Sequence, residues 1–461
     1  MSNTNLRIEK IGGTSMSRFP DIMHNVILRD KKDLLNRIYI VSAYGGVTNV
    51  LLEHKKTGKP GIYKKFADLT DYRTALESLK TSLCDINEKF ADAGLNVETA
   101  NRFITSRIND TISVLNSMYE VLSSGYVSRN HILLAAREIL ASLGEIHSAY
   151  NSTEMVKAAG YPATFVDLSG WGDGRELTID QRIVDTFEKV DPSTAICFAT
   201  GYTKGIEGIM REFDRGYSEV TFSKVAVLLK ASEAVIHKEF HLCSGDPNII
   251  GEDRVRPVCN TNFDVADQLA DVGMEAIHPK ASKPLELANI PIRVKNSFDP
   301  EHEGTLITLD YIRPDSRTEV VTGSDKVTCV EIHDTRMVGE VGFDLRIMKI
   351  LAQFDVSYIS KATNANTIGI VMNDSDCIPE LCNTLKERFE LVTQEEVAIV
   401  CAIGSNIARP GVLAEAAKAL ADANINILAV SQTTRQTNMQ FIVRREHFFD
   451  AQRALHAALC E

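Results

Sequence analysis

Two stretches in the C-terminal third of the chain resemble each other at a spacing of 69 residues. Residues 342–352 (GFDLRIMKILA) precede a short apolar segment at 356–359, and residues 411–421 (GVLAEAAKALA) precede another at 425–428. Each copy predicts a strand, a glycine turn, a helix, two strands and a second helix, which is typical of a duplicated βαββαβ unit. Two such units can pair their sheets and leave ligand sites between them.

The N-terminal part follows a strand, glycine turn, helix, strand order that is typical of α/β domains. Residues 6–11 alternate between apolar and polar side chains and predict a strand. A glycine turn and a helical pattern from about residue 18 to 29 follow, and residues 50–155 are mainly helical in pattern. Further buried strands are predicted at residues 37–42, 194–201, 234–236 and 290–294. Turn-rich residues at 313–326 predict a domain boundary before the repeat.

Charge and cysteine usage exclude several classes of function. The 50 basic and 62 acidic residues give a formal net charge of −12, which argues against a nucleic-acid binder because such proteins need a basic surface. Nine cysteines lie scattered without zinc-type spacing, so we expect a reducing compartment, no disulfide framework and no metal cage. The absence of an apolar signal region, and of any apolar run of about 18 residues, predicts a cytoplasmic protein with no membrane partner.

The turn after the first strand carries the residues of a phosphate site. Gly12 and Gly13 let backbone N–H groups approach an anion closely, and a helix N-terminus adds partial positive charge. Lys10 adds a full charge, and Thr14 and Ser15 add hydroxyl donors. The G-x-x-x-x-G-K-[ST] pattern of a P-loop is absent. A tight strand-to-helix turn with an incidental lysine explains the local pattern equally well, so both interpretations stay open at this stage.

Charged residues in two further segments are ambiguous from the local pattern. Residues 214–219 (DRGYSE) lead into a helix predicted to begin near residue 220. Arg215 is suited to clamping a carboxylate in bidentate fashion, whereas Ser218 and Glu219 are more simply interpreted as helix-capping residues. Glu145 follows Gly144 at the end of a predicted helical stretch. It is suited to an ammonium group, although a lone glutamate is far more often a surface residue.

The segment around His278 and Lys280 has a similar ambiguity. Lys280 is suited to a phosphate or a base, whereas His278 alone is more often a structural hydrogen-bonding residue than a catalyst. No set of residues resembles a Ser-His-Asp triad, and no cluster of histidine and cysteine suggests a metal site.

Taken together, these motifs resemble the aspartokinase family of the amino-acid kinase superfamily, in the same order over nearly the whole chain. Residues 10–15 (KIGGTS) resemble the family's opening K-F-G-G-T-S, and Gly144-Glu145 resembles its G-E. The other similar segments are residues 41–43 with Thr48 and Asn49, residues 214–219 for G-R-G-G-S-D, residues 244–247 (SGDP) for T-T-D-P and residues 277–280 (IHPK) for H-P-K/R. The repeat is similar to tandem ACT domains. Each motif is weak alone, but six in order are specific.

The resemblance implies an α/β fold. An amino-acid kinase (carbamate-kinase-like) αβα sandwich would span residues 1–315, followed by two ferredoxin-like βαββαβ ACT units at residues 325–393 and 394–461. It implies an ATP-dependent aspartate kinase that makes 4-phospho-L-aspartate, with Mg²⁺ entering alongside ATP. Because ACT units usually associate through their sheets, a homodimer or homotetramer is expected. An amino-acid effector, lysine or threonine, is expected at the ACT interface.

The resemblance also implies a role for each motif residue. Lys10 would contact the transferred phosphate and Arg215 the substrate α-carboxylate, while Glu145 would bind the α-ammonium group. The remaining implied substrate-binding residues are Ser42, Thr48, Ser218 and Glu219. The implied ATP-binding residues are Lys10, Gly12, Gly13, Thr14, Ser15, Ser244, Asp246 and Lys280. The nucleophile would be an aspartate carboxylate that is already ionised at pH 7, so no general base is needed.

Several positions depart from the family pattern: Ile11 replaces phenylalanine, Tyr217 glycine, Glu219 aspartate and Asn248 arginine. This set is similar to aspartokinases encoded beside ectoine biosynthesis. Two alternatives stay open: a kinase for glutamate or another small carboxylate, and an amino-acid-binding regulator whose kinase domain has decayed. Retention of Lys10 and Arg215 counts against the second alternative, because decay usually loses the charged residues.

Overall fold

The computed structural model describes residues 5–54, 57–213, 216–274 and 276–461. Its strands are β1 (Arg7–Ile11), β2 (Arg37–Val41), β3 (Ala163–Val166), β4 (Ile196–Thr200), β5 (Glu233–Lys238), β6 (Asn260–Asn262), β7 (Ile292–Asn296), β8 (Thr305–Thr308), β9 (Val320–His333), β10 (Ser360–Thr363), β11 (Thr367–Asn373), β12 (Leu391–Ile403), β13 (Ala429–Gln432) and β14 (Asn438–Arg444).

Its α-helices are α1 (Gly13–Met16), α2 (Phe19–Ile22), α3 (Val47–Leu51), α4 (Ile62–Ala67), α5 (Tyr72–Lys89), α6 (Val97–Ser124), α7 (Arg129–Ala158), α8 (Ile179–Phe187), α9 (Ile209–Glu212), α10 (Tyr217–Leu228), α11 (Pro247–Ile250), α12 (Phe263–Asp271), α13 (Pro279–Leu287), α14 (Phe343–Gln353), α15 (Ile378–Lys386), α16 (Val412–Asp422) and α17 (Phe448–Leu459). No helix among the described residues combines the length and the apolar character needed to cross a membrane.

The chain divides into two compact units. The first comprises Met1–His241 and Ile277–Gly304, and the second comprises Leu242–Ala276 and Thr305–Glu461. This division by compactness places residues 242–276 with the C-terminal half of the chain. The two compact units do not coincide with the predicted catalytic domain of residues 1–315 or with the predicted boundary at residue 393. Those functional boundaries stay predictions.

A parallel sheet forms the centre of the first unit, in the order β3-β4-β2-β1-β5-β7. Every residue of β2 and of β4 is buried, as expected for strands whose two faces are both covered by other elements. The predicted α/β class is therefore confirmed. The predicted strands at residues 37–42, 194–201, 234–236 and 290–294 correspond to β2, β4, β5 and β7.

The C-terminal ends of the central strands bring three loops to one edge of this sheet. Ile11 pairs with Val41, and Val41 pairs with Thr200, so β1, β2 and β4 end side by side. The glycine turn after β1, the segment after β2 and Gly201 after β4 therefore start next to one another. Ligands of parallel α/β sheets commonly bind at such an edge.

Two helix predictions need correction. The helix predicted over residues 18–29 is the short helix α2 followed by a wider π-helical turn at Met23–Ile27. Glu145, predicted at the end of a helical stretch, lies in the middle of the 30-residue helix α7. Residues 140–149 of α7 are all buried, so this helix shows no apolar stripe that would mark its limits in the sequence.

The second unit contains the duplicated element. Its main sheet is antiparallel, in the order β10-β11-β9-β12-β14-β13, and β6 pairs with β8 in parallel. The long strands β9 and β12 pair at the centre, with a register shift between Val397 and Ile399, so both copies share one sheet. Each copy has its own apolar core, one around Phe343 and Ile347 and the other around Phe441 and Phe448.

Candidate active site

The glycine turn after β1 lies against the segment that follows β2. A β-carbon on Gly13 would lie only 2.7 Å from the carbonyl oxygen of Ala43, so this approach requires glycine. Gly12 leaves open space, and a β-carbon there would lie 4.0 Å from Lys10 Nζ. Ser15 is buried and its hydroxyl donates to Glu239 Oε1 at 3.2 Å. Thr14 is exposed at this turn.

Lys10 forms a largely buried ion pair at the same edge. Its Nζ lies 3.1 Å from Glu219 Oε1, and the other oxygen of Glu219 accepts the backbone N–H of His278 at 2.8 Å. Burial alone would raise the pKa of Glu219, but the charge of Lys10 and the His278 hydrogen bond lower it to about 2. Glu219 is therefore ionised and fixes the position of the lysine.

Ser42 and Ser218 connect β2 to the start of α10. Their hydroxyl groups lie 3.1 Å apart and share a hydrogen bond. Helix α10 begins at Tyr217, three residues before the predicted start, with Gly216 as its N-cap. Ser218 and Glu219 thus lie in the first turn, and their side chains contact Ser42 and Lys10 rather than acting as the cap. Thr48 is half-buried in α3.

Glu145 presents a buried carboxylate with one oxygen available. Its Oε1 accepts the Tyr217 hydroxyl at 2.9 Å, while its Oε2 is buried and has no hydrogen-bond partner among the described residues. Burial raises the pKa of Glu145 to about 7, and the Tyr217 hydrogen bond limits the increase. A buried carboxylate oxygen of this kind is suited to a cationic ligand, which would complete its hydrogen bonds and favour its ionised form.

Two glycines allow close packing around Glu145: Gly144 on α7 and Gly201 directly after β4. A β-carbon on Gly144 would lie 2.4 Å from the Ala43 β-carbon. A β-carbon on Gly201 would lie 2.7 Å from the Ser218 β-carbon and 3.3 Å from Glu145 Cγ. The structure therefore brings Glu145, Ser218 and Ser42 together around the end of β4, and Glu219 links this group to Lys10.

Lys280 lies at the start of α13, in the same unit. Its Nζ donates to the carbonyl oxygen of Glu212 at 3.3 Å and lies 5.2 Å from the centroid of the Phe213 ring. The His278 ring caps this helix, with Nδ1 accepting the Lys280 backbone N–H at 3.2 Å. This capping agrees with the structural role considered for His278.

Two predicted nucleotide-binding residues lie in the second unit, where their contacts support local structure. The Ser244 hydroxyl shares a hydrogen bond with His456 Nε2 at 2.9 Å and accepts the Arg256 backbone N–H at 3.0 Å. Asp246 caps the short helix α11 by accepting the Asn248 backbone N–H at 2.9 Å. Arg215 lies outside the described residues. Among those described, no group of three or more histidine, cysteine, aspartate or glutamate side chains is arranged to hold a metal ion.

Sequence patterns did not reveal three contributors to this site. Tyr217 was noted only as a departure from a family pattern, and its hydrogen bond to Glu145 depends on the packing of α10 against α7. Gly201 was noted only as the end of a strand. Glu239 follows β5 without a motif of its own, although the charged pair Lys238 and Glu239 at the end of this buried strand indicates that the edge of the parallel sheet is polar there.

Family models and a close relative identify the chain. The model of the amino acid kinase family matches residues 5–296, and that of the ACT domain matches residues 391–459. The aspartate kinase Ask_Ect of Stutzerimonas stutzeri (strain A1501) is 43% identical over 462 residues, which are 98% of this chain and 97% of that protein. The chain belongs to the aspartate kinase family. The predicted family is thereby confirmed on sequence grounds independent of the fold.

Solved aspartate kinases have the same fold. E. coli aspartokinase III in complex with aspartate and ADP (R-state) gives a TM-score of 0.74 at 19% identity, covering 99% of this chain and 100% of that one. The same enzyme in complex with lysine and aspartate (T-state) gives 0.72 at 20% identity, with the same coverage. At such low identity, these similarities establish the fold of the aspartate kinase.

Proposed function

We propose that this chain transfers the γ-phosphate of ATP to the β-carboxylate of L-aspartate. The observation that carries the proposal is the buried Oε2 of Glu145, which lies near the Ser42–Ser218 pair and has no hydrogen-bond partner in the described part of the chain. An amino-acid substrate needs such an anion for its ammonium group, and a phosphate donor needs a cation, which Lys10 provides. The relative with 43% identity over nearly the full length supports aspartate as the amino acid.

Each residue of the site has a role in this proposal. Lys10 neutralises charge on the transferred phosphoryl group, and Glu219 positions Lys10 through their ion pair. Gly12, Gly13, Thr14 and Ser15 cradle phosphates. Ser42, Thr48 and Ser218 orient the substrate, Glu145 binds its ammonium group and Arg215 its α-carboxylate. Because the nucleophile is an ionised carboxylate, positioning and charge neutralisation are sufficient for phosphoryl transfer.

Lys280 is proposed to contact the nucleotide, and Mg²⁺ would bind mainly to the phosphates. The roles of Ser244 and Asp246 in ATP binding stay predictions from the family resemblance. Magnesium in kinases usually keeps several waters and takes only one or two protein carboxylates, so a three-residue cage is not required. Among the described residues near the phosphate turn, Glu239 is a candidate metal ligand, whereas both oxygens of Glu219 already accept hydrogen bonds from Lys10 and the His278 N–H. The metal would supply further neutralisation of phosphate charge.

The test is a hydroxamate assay. Purified protein is incubated with MgATP, hydroxylamine and either L-aspartate or L-glutamate. Aspartyl hydroxamate that requires aspartate, with little product from glutamate, is the expected result. Equal product from glutamate would show that the enzyme phosphorylates other amino-acid carboxylates as well as aspartate. The absence of product from a folded sample would contradict the proposed kinase activity.

Tyr217 is expected to tune this site. In Tyr217→Phe, the hydrogen bond that limits the pKa of Glu145 is lost, so less Glu145 is ionised at neutral pH. We expect KM for aspartate to rise about fivefold at pH 7 and less at pH 8.5, with kcat little changed, because one hydrogen bond contributes about 1 kcal/mol. The kinetics are measured at both pH values.

Tyr202→Phe is the matched control for this variant. The Tyr202 hydroxyl bonds Glu138 on the same helix at 2.7 Å, so the control removes the same kind of contact from a neighbouring carboxylate. Its KM for aspartate should stay within about twofold of the parent value. An equal rise of KM in both variants would show that Tyr217 has no specific role at Glu145.

We also propose that the protein is a homodimer or homotetramer that associates through its ACT sheet. Leu391 and Val430 on this sheet are 54% and 45% exposed, and exposed apolar patches often mark interfaces. Light scattering should give at least about twice the 51.0 kDa chain mass, and Val430→Asp should lower it. The control Val121→Asp, at a comparably exposed valine of α6, should not change the mass. A 51.0 kDa parent protein would contradict the proposal.

An amino-acid effector, lysine or threonine, is proposed for the ACT units. The lysine complex of the structurally similar E. coli enzyme supports lysine, and inhibition by either amino acid in the hydroxamate assay would identify the effector. The similarity to Ask_Ect supports a place in the branch associated with ectoine biosynthesis. A cytoplasmic location is proposed because all nine cysteines are free thiols, as is typical of reducing compartments.

A further inference from the structure

A second polar cavity, of about 650 Å³, lies beside the sheet of the first unit, outside the residues assigned to the kinase site. Its wall includes side chains that point from one face of β1, β2, β5 and β7. Lys295 on β7 is paired in register with His237 on β5, so these two side chains project from neighbouring strands into the same space.

The innermost charges of this cavity neutralise one another. Glu9 is buried and receives two hydrogen bonds from the Arg37 guanidinium and one from His237 Nε2, the last at 2.7 Å. Burial would raise the pKa of Glu9, but the charge of Arg37 and the hydrogen bonds hold it well below its usual range. Glu9 is therefore ionised and committed to Arg37 and His237.

Lys295, in contrast, lacks a hydrogen-bonding or ion-pair partner within the part of the chain that the structure describes. It is half-buried. Burial and the charge of Arg29 lower its pKa, and the charge of Glu9 offsets only part of this decrease. Glu301 is paired with Arg29, and Glu233 with Arg293 at 2.8 Å, so neither glutamate forms an ion pair with Lys295.

A second unsatisfied group faces the same cavity. His237 is 3% exposed, and its Nδ1 has no hydrogen-bond partner in the described part of the chain. With Nε2–H donating to the ionised Glu9, the neutral ring leaves Nδ1 as an acceptor for an O–H group of a ligand. Buried polar groups without a partner are costly, and an oxyanion that carries an O–H group, such as hydrogen phosphate, would satisfy both Lys295 and His237.

We propose that this cavity is a second anion site, which binds a small oxyanion between Lys295 and His237. The oxyanion is a phosphate or carboxylate group, carried by inorganic phosphate or by a small organic acid. The cavity exceeds the volume of one such group, and exposed carboxylates of Asp30 and Glu303 at its wall disfavour a second negative charge there. The site does not depend on the kinase reaction.

Amide hydrogen exchange of the full-length chain, followed by mass spectrometry, tests the site and locates it. Inorganic phosphate, which is mainly a monoanion at pH 6, and acetate are added in separate experiments at that pH. At about four times the dissociation constant, exchange in peptides covering residues 23–33 and 292–303 should slow about fivefold, since binding suppresses opening in proportion to ligand saturation. Protection by only one of the two probes identifies which oxyanion is preferred.

Lys295→Met should abolish this protection. The methionine side chain keeps most of the lysine volume and removes the charge, so the variant should fold. If Lys295→Met does not fold, Lys295→Gln is the second variant. Lys65→Met, at an exposed lysine of α4, is the control and should behave as the parent chain. Peptides covering residues 12–18 report anion binding at the kinase site separately. Protection that is confined to those peptides, or that persists in both Lys295 variants, would overturn the proposal.

Discussion

Lys10→Met is expected to lower kcat by about 10³-fold, because it removes the only cation among the described residues of the phosphate turn. KM for aspartate should change much less, since the aspartate contacts proposed for Glu145 and Ser42 do not involve Lys10. The hydroxamate assay measures both parameters. A kcat within tenfold of the parent value would show that Lys10 does not act on the transferred phosphoryl group.

The same substitution is expected to destabilise the protein, so a loss of activity could come from partial unfolding as well as from the loss of the catalytic lysine. The Lys10 and Glu219 side chains are only 12% and 15% exposed, so removal of the lysine leaves a nearly buried carboxylate uncompensated. Breaking such a pair costs about 3 kcal/mol in the free energy of unfolding. Urea denaturation of the variant at pH 7 measures this loss.

A double variant separates the two effects. In Lys10→Met with Glu219→Gln, no uncompensated charge remains, so the free energy of unfolding should return to within about 1 kcal/mol of the parent value. Turnover should not return, because the phosphoryl group still lacks its cation. If the double variant recovers activity together with stability, the defect of Lys10→Met is structural, and the catalytic role of Lys10 is wrong.

The order of elements and the identity of the motifs could be predicted from the sequence, because they depend on local patterns. Buried strands such as β2 and β4 are continuous apolar runs, and the turn at Gly12 and Gly13 follows its strand directly. The repeat likewise predicted the two halves of the ACT sheet. Such features rest on residues adjacent in the chain, and tertiary packing reinforces them.

The contacts that define the site could not be predicted in the same way. Glu219 resembles a helix-capping residue locally, but the close approach of β1 and α10 makes it the partner of Lys10, 209 positions away. Glu145 lies in a helix buried on all sides, where periodicity carries no information about which residue faces the substrate. Tyr217 appeared as a defect of a motif, whereas its hydroxyl contributes to the environment of Glu145.

Glu145→Gln is expected to change function and stability in opposite directions. A neutral amide cannot neutralise the substrate ammonium, so KM for aspartate should rise about 100-fold, which corresponds to about 3 kcal/mol for a buried charged hydrogen bond. In the parent protein, aspartate should bind more tightly as the pH rises through about 7, since Glu145 then becomes ionised. Glu145→Gln should lose this dependence, which steady-state kinetics between pH 6 and 8.5 would reveal.

The expected gain in stability follows from the sign of the pKa shift. The pKa of Glu145 is raised from 4.5 to about 7 on folding, so the folded state holds this proton more tightly than the unfolded state. The resulting stabilisation is complete below pH 4.5 and is lost as the pH rises through about 7, which leaves a penalty on the order of 3 kcal/mol at pH 8. Glutamine avoids this penalty but buries an amide without a partner, at a cost of about 1–2 kcal/mol.

The variant should therefore unfold with a free energy about 1–2 kcal/mol larger than the parent at pH 8, and this advantage should vanish near pH 5. Glu138→Gln is the matched control, since Glu138 lies on the same helix but both of its oxygens accept hydrogen bonds, from Tyr202 and from the Met210 N–H. The control should retain the parent KM for aspartate. The stability of Glu145→Gln relative to the parent protein should therefore increase from pH 5 to pH 8. A decrease over this range would show that ionisation of the buried Glu145 does not destabilise the parent protein.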